Sequence, residues 1–134
     1  MIRYALDTNT VSFLFRRQPQ VQARLLAVPP ESVCIPAIVL AELAFGKHNN
    51  PARAAALEAA IRHLKDCYAV LNFDESAAEW YGLIRAGARQ QPIDDRDLLV
   101  AASCLACGCT LVTNNTREFQ RIAGLRSEDW STSK

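Results

Sequence analysis

Short apolar runs alternate with amphipathic segments along the whole chain. The apolar runs have the length of buried strands and lie at residues 2–6, 33–35, 69–73 and 110–112. Between them, apolar residues recur every three or four positions and predict helices over residues 10–16, 21–28, 37–45, 52–65, 74–88 and 95–106. A last helical turn over 118–122 and a short edge strand at 125–126 complete the pattern. Because helices separate the strands, the strands should pair in parallel through right-handed crossovers, which predicts a three-layer, doubly wound α/β domain.

Glycine and proline mark several of the predicted boundaries. Gly46 is expected to end the third helix and Gly108 the sixth, whereas Pro36 suits the first turn of helix 37–45. No repeat, linker or low-complexity segment divides the chain. Residues 1–134 should therefore form one domain, with residues 131–134 as a disordered tail.

The composition fits one folded domain in a reducing compartment. The chain has 134 residues, half of them hydrophobic, which is enough to bury an ordinary core. No apolar run approaches the length of a membrane span, and the N-terminus has no basic-then-apolar signal region. We therefore expect a cytoplasmic location and no membrane association. Five cysteines cannot all pair within one chain, and free thiols fit a reducing compartment.

The charge of the chain is uneven although its net value is only +1. Residues 1–65 carry eight Lys or Arg against four acids, whereas residues 66–134 carry seven against ten. Two of the acids in the basic half, Asp7 and Glu42, are candidate site residues, so the rest of that half is more basic still. This distribution permits a polyanion to be held near a cluster of carboxylates, but solvated helix faces produce the same pattern.

Asp7 directly follows the first predicted strand, and small polar residues come next. Ligands of open α/β sheets bind just beyond the carboxyl ends of the strands, so a carboxylate at this point is placed for metal or phosphate chemistry. The alternative is that Asp7 only caps the following helix, a common role for an aspartate in this position.

Two further acids stand in apolar surroundings. Glu42 is the only charged residue of the predicted helix 37–45, so it lies either on a narrow hydrated stripe or opposite a cation. Asp97 follows Asp94 and Asp95 at the apolar start of helix 95–106. One acid is enough to cap a helix, and three close carboxylates repel each other unless a cation neutralises them. We expect Asp95 to form the cap and Asp97 to face a crevice at the sheet edge.

The last clear strand ends in polar residues as well. Thr113, Asn114 and Asn115 follow it, although two successive asparagines are also common in turns. Three convergent carboxylates would suit Mg²⁺, which prefers oxygen ligands and keeps several waters. Carboxylate-bound Mg²⁺ can neutralise charge on a phosphate and activate water, so the three acids fit the hydrolysis of a phosphodiester.

Taken in order, these segments resemble the PIN-domain ribonuclease toxins of VapBC toxin–antitoxin operons. The resemblance covers essentially the whole chain. Each motif is weak alone, but the ordered set is specific. The segments are Leu-Asp-Thr-Asn at 6–9, Ala-Glu-Leu-Ala-Phe-Gly at 41–46, the run 93–102 with Asp97 before Leu-Leu-Val-Ala-Ala, Leu-Val-Thr-Asn-Asn at 111–115, Glu118-Phe119, Gly124-Leu125 and Asp129-Trp130.

The resemblance implies a five-stranded, mostly parallel sheet and an endoribonuclease that depends on Mg²⁺ or Mn²⁺ and cleaves cellular RNA, with tRNA among the family's targets. It places the catalytic, metal-binding acids at Asp7, Glu42 and Asp97, and supporting roles at Asn9 and Thr113. It also implies a cognate VapB-like antitoxin, a homodimer and a toxin–antitoxin hetero-oligomer. One departure is Asn115, which stands where many PIN nucleases have a fourth acid and which adds no charge to a second metal position.

Three other functions compete with this interpretation. A phospho-receiver signalling domain has the same kind of sheet, and Asp7, Asp74 and Thr113 match its landmarks, but Thr8 and Asn9 stand where it needs a second acid. A haloacid-dehalogenase-type phosphatase would need an aspartate at position 9. The third alternative is a PIN fold that only binds a partner, and the presence of acids at all three main positions argues against it.

Overall fold

The computed structural model describes residues 1–132, which fold into five strands and seven α-helices around one central sheet. The strands are β1 (Tyr4–Leu6), β2 (Val33–Pro36), β3 (Ala69–Leu71), β4 (Thr110–Val112) and β5 (Ser127–Glu128). The helices are α1 (Thr8–Phe15), α2 (Pro19–Leu26), α3 (Ala37–Asn49), α4 (Ala54–Cys67), α5 (Glu75–Gly87), α6 (Asp95–Cys107) and α7 (Thr116–Phe119). Short 3-10 turns at Pro30–Ser32 and Pro51–Arg53 precede β2 and α4.

All strand pairs are parallel, and their spatial order is β3-β2-β1-β4-β5. The N-terminal strand β1 is therefore central, with Ala5 opposite Cys34 on one side and Leu111 on the other. This arrangement confirms the predicted three-layer α/β fold with a parallel five-stranded sheet. The carboxyl ends of β1 and β4 lie side by side, and the chain leaves both strands at the same edge.

The core is built from the strands and the apolar faces of the helices. β1, β2 and β4 are buried almost throughout, which is typical of parallel strands covered on both faces. The middle of helix α6 is buried at Leu98 and over residues 100–104. The helix ends at Gly108, whose φ of 78° lies in the left-handed region that glycine adopts at low cost. Within residues 1–132, no helix is long and apolar enough to cross a membrane.

Gly46 does not end α3 as predicted, because the helix continues to Asn49. A Cβ atom at Gly46 would lie 3.2 Å from Cδ1 of Leu57 on α4. The glycine therefore permits close packing of two helices instead of stopping one. Pro36 likewise belongs to β2 and forms the N-cap position of α3, one residue before the predicted first turn.

The C-terminal part of the chain differs from the prediction in three places, the first of which is the last helical turn at Thr116–Phe119 instead of 118–122. The edge strand forms at Ser127–Glu128, two residues after the predicted 125–126, and pairs with β4. Ser131 is held by hydrogen bonds, because its backbone nitrogen donates to Asp129 and its carbonyl accepts from Gln18. The predicted disordered tail thus does not begin at residue 131, and residues 133–134 lie outside the described part of the chain.

Candidate active site

A polar crevice opens at the carboxyl edge of the sheet, where β1 and β4 end. Its volume is about 310 Å³. Helix α3 contributes Glu42 and the first turn of α6 contributes Asp97, so the three predicted acids meet there although they are far apart in the chain. The lining residues are Asp7, Thr8, Asn9, Glu42, Arg96, Asp97, Val100, Asn115 and Phe119.

Asp7 both caps α1 and lines the crevice, so the two predicted roles are not alternatives. Its Oδ1 atom accepts a hydrogen bond of 2.9 Å from the Thr10 backbone nitrogen, and the Thr10 hydroxyl donates to the Val112 carbonyl at 2.9 Å. These bonds tie the start of α1 to the end of β4. Burial raises the pKa of the Asp7 carboxyl, while hydrogen bonds from Thr113, Thr10 and Asn9 act in the opposite direction.

Glu42 faces a cation, one of the two environments expected for it. Its Oε2 atom lies 3.4 Å from Nη1 of Arg96, and 24% of its side chain is exposed. Arg96 directly precedes Asp97 on α6, whereas Glu42 lies on α3. The carboxylate is thus neither on a fully hydrated stripe nor buried without compensation.

Asp97 lies near a fourth acid, Glu118 of α7, which belongs to one of the segments that carry the resemblance but was not predicted to join the acidic site. Burial raises the pKa of the Asp97 carboxyl to about 7, and the nearby Glu118 carboxyl adds to this effect. The Glu118 Oε1 atom is buried and has no hydrogen-bond partner among the described residues. Two close carboxyl groups with an unpartnered oxygen are chemically suited to a bound cation.

The asparagines at the crevice hold these groups in position. Asn115 donates from Nδ2 to Oε2 of Glu118 at 3.3 Å, and its backbone nitrogen donates to the Thr113 hydroxyl at 3.0 Å. Asn9 donates from Nδ2 to Oδ1 of Asn114 at 3.0 Å. Asn115 therefore orients Glu118, which follows it by three residues in the chain.

The cap of α6 is Asp94, not Asp95 as predicted. Asp94 Oδ1 accepts from the Arg96 backbone nitrogen at 2.9 Å, whereas Asp95 is exposed and accepts from the Tyr81 hydroxyl at 3.0 Å. Asp74, the second landmark of a phospho-receiver, caps α5 through the Ala77 nitrogen and does not line the crevice.

The carboxylates are spread along the crevice and do not surround a single point. Within residues 1–132, no three His, Cys, Asp or Glu side chains are arranged to hold one metal ion without movement. This does not conflict with Mg²⁺, which typically binds through one or two carboxylates and keeps several waters. Asp97 and Glu118 form such a pair, and the residues present therefore fit a hard divalent cation.

The cysteines form a second cluster, away from the crevice. Cys34, Cys104 and Cys109 are buried, and hydrogen bonding to Cys109 together with burial raises the pKa of the Cys34 and Cys104 thiols. Cys34 of β2 is thus a fourth thiol beside the three at positions 104, 107 and 109. All five cysteines are free, and buried cysteines behave as small apolar residues.

Comparisons with known proteins agree with this geometry. The family model for the PIN domain matches residues 4–125. The chain is 35% identical to the tRNA(fMet)-specific endonuclease VapC of Shigella flexneri over 98% of its own length and 100% of that protein. It is 32% identical to a ribonuclease VapC of Haemophilus influenzae over 97% and 99% of the two chains. The solved structure of DNA-bound VapBC from Salmonella typhimurium superposes with a TM-score of 0.85 at 34% identity, covering 97% and 99% of the chains.

Proposed function

Because this chain belongs to the PIN-domain family, and within it to the VapC ribonucleases, we propose that it is the endoribonuclease toxin of a type II toxin–antitoxin pair and cleaves cellular RNA with Mg²⁺ or Mn²⁺. The observation that carries the metal dependence is the crevice in which the carboxyl groups of Asp7, Glu42 and Asp97 lie, beside which Asn115 holds a fourth acid, Glu118. Two adjacent carboxyl groups are costly unless a cation or a proton neutralises them, and hydrolysis of a phosphodiester uses such a cation.

Asp7, Glu42 and Asp97, joined by Glu118, are the residues that would hold the metal. When bound, the metal supplies charge neutralisation at the phosphate and a more acidic water molecule. The other residues of the crevice position these acids. Thr10 and Thr113 orient Asp7 by hydrogen bonding, and Asn115 holds one oxygen of Glu118 so that the other faces away from it. These side chains therefore set the geometry without taking part in the chemistry themselves.

Initiator tRNA is the first substrate to test, since the name of the Shigella relative specifies tRNA(fMet). The reaction would take place in the cytoplasm, where tRNA occurs and where five free thiols stay reduced. We expect one endonucleolytic cut in the RNA chain and no action on DNA.

An apolar groove between α1 and α4 is the proposed binding surface for the antitoxin. Its volume is about 800 Å³, and Phe15 and His63 separate it from a second depression of about 470 Å³ that Leu25 and Leu26 line. Phe15 and Leu26 are 40% and 87% exposed, which is unusual for large apolar side chains. The groove fits the apolar face of an amphipathic helix, and Arg16 and Arg53 at its wall favour acidic residues beside that face.

A homodimer is the proposed state of the toxin subunit. Phe45 on α3 and Leu83 on α5 are 68% and 62% exposed and lie outside the antitoxin groove. Burying them against a second copy would remove apolar surface from water. Light scattering should give a dimer for the wild type and a monomer for the Phe45→Glu, Leu83→Glu double variant. A monomeric wild type would contradict this part of the proposal.

The function is tested by cleavage of purified tRNA by the purified protein. Wild type should cut the RNA with Mg²⁺ or Mn²⁺ and lose activity in EDTA. Asp7→Asn and Asp97→Asn should be folded and inactive, because each change removes a charged ligand. Asp95→Asn is the matched control, since it removes the same charge from the same turn of α6 and should stay active. Full activity of the wild type in EDTA, or full activity of both Asp7→Asn and Asp97→Asn, would refute the proposal.

A further inference from the structure

Arg96 is the one basic residue that lines the crevice in the part of the chain that the structure describes. Its guanidinium is shared between two carboxylates. Nη1 lies 3.4 Å from Glu42 Oε2, and Nε lies 3.3 Å from Asp94 Oδ1. The side chain is 63% exposed, so it can leave either partner without a large change in packing.

The position of Arg96 is not explained by the stability of α6. It follows the cap residue Asp94 by two positions, so its positive charge lies at the end of the helix where a cation is unfavourable. Exposed ion pairs of this kind contribute little to folding. An arginine in this place therefore requires a reason other than stability, and its contact with Glu42 is weak enough to be exchanged.

The crevice also needs a cation if it is to hold a polyanion. Asp7, Glu42 and Asp97 line it, and Glu118 lies near Asp97. This excess of negative charge repels RNA wherever a metal does not neutralise it. The planar guanidinium of arginine matches two oxygens of a phosphate at once, which makes Arg96 the suitable group for this task.

We propose that Arg96 binds a phosphate of the RNA beside the cleaved bond, and that Glu42 holds this arginine in the protein without RNA. The proposal rests on the nuclease function proposed above. Any cation that binds Glu42 competes with Arg96 for the same carboxylate and releases the guanidinium toward the substrate. Arg96 is thus a substrate-binding residue whose availability depends on Glu42.

Loss of the Arg96 charge should change the affinities for Mn²⁺ and for RNA in opposite directions. Arg96→Gln should bind Mn²⁺ about 10-fold more tightly, because the competing positive charge beside Glu42 is gone. The same variant should bind RNA about 10-fold more weakly, because a charge-assisted contact to phosphate is lost. Arg96→Lys keeps the charge and should recover part of the RNA affinity. If Arg96 had a purely structural role, Arg96→Gln would bind both Mn²⁺ and RNA more weakly.

The decisive measurement is RNA binding in EDTA, where no cleavage occurs. Fluorescence anisotropy with a labelled initiator tRNA transcript compares wild type, Arg96→Gln, Glu42→Gln and the double variant. Glu42→Gln should bind about 5- to 10-fold more tightly than wild type, because it frees Arg96. The double variant should lose most of this gain, because the gain acts through Arg96. Calorimetric titration with Mn²⁺ supplies the metal affinities, and circular dichroism checks that each variant is folded.

Arg62→Gln is the matched control, because Arg62 forms a similarly exposed pair with Glu58 on α4. It should change neither affinity. Equal RNA affinities for wild type and Arg96→Gln, or an undiminished gain in the double variant, would overturn the inference while leaving the nuclease function intact. A wild type that neither binds Mn²⁺ nor cleaves RNA would instead refute the proposed function itself.

Discussion

The pair formed by Asp97 and Glu118 predicts that an inactive variant is more stable than the wild type. The Asp97 carboxyl has its pKa raised from 3.8 to about 7, mainly by burial. Asp97→Asn replaces it by a neutral group of nearly the same size, which removes both the desolvation cost and the repulsion from Glu118. In EDTA, the free energy of unfolding of Asp97→Asn should therefore exceed that of the wild type at alkaline pH.

The pH window follows from the direction of the shift. Because the pKa is higher in the folded than in the unfolded protein, the folded state binds more protons between about pH 4 and pH 7. Wild-type stability should fall as the pH rises through this window, and the full loss is present above pH 7. A shift of about three pKa units sets an upper limit of about 4 kcal/mol. Asp97 is partly exposed and its charge favours the start of α6, so the expected gain at pH 8 is about 1–2 kcal/mol.

The assay is urea unfolding followed by circular dichroism at pH 4 and pH 8. Asp97→Asn and wild type should be nearly equal at pH 4 and differ at pH 8. Asp95→Asn is the control, because Asp95 is exposed and faces Tyr81, and it should show the same pH dependence as the wild type. Adding Mg²⁺ at pH 8 should stabilise the wild type and have little effect on Asp97→Asn. Parallel pH profiles for wild type and Asp97→Asn, or a less stable variant at pH 8, would refute the reasoning.

Three further predictions concern the crevice and the groove. Glu118→Gln should fold normally and cleave tRNA about 10- to 100-fold more slowly than the wild type. An unchanged cleavage rate would show that Glu118 does not belong to the site. Asn115→Asp should reach half-maximal cleavage at a lower Mg²⁺ concentration, because it adds a carboxylate beside Glu118, and unchanged metal titration curves would show that this side chain does not influence the metal. Phe15→Glu should abolish co-purification of the antitoxin but preserve RNA cleavage, whereas an intact complex would place the antitoxin elsewhere.

The sequence predicted the acids that directly follow strands or stand alone in apolar helices. Asp7 is recognisable because it directly follows the first strand, where ligands of open α/β sheets bind. Glu42 is recognisable because burying a charge needs compensation, a rule that applies to a sequence as well as to a structure. Glu118 was named only as part of a segment of the resemblance, and its place near the acids was not predicted, because it belongs to a helix of four residues that has little periodicity of its own. Its importance depends on its contact with Asp97, which only the fold creates.

Local sequence patterns gave wrong predictions where one pattern is compatible with two structures. Glycine after an apolar helix commonly ends it, but Gly46 is there because Leu57 packs close to its Cα atom. Asp94 and Asp95 are both good caps by residue type, and the choice between them depends on the backbone at the start of α6. The contact between Arg96 and Glu42 joins residues that are 54 positions apart, so no local pattern could predict it.

The strand order determines when each surface can exist during synthesis on the ribosome. The antitoxin groove uses no residue after Tyr68, whereas the crevice needs Asp97, Asn115 and the pairing of β1 with β4. At translation speeds of roughly 5–20 residues per second, several seconds pass between the two points. The nascent chain thus contains all residues of the proposed antitoxin groove before it contains those that complete the crevice. An antitoxin that is already present can therefore meet the chain before it becomes toxic.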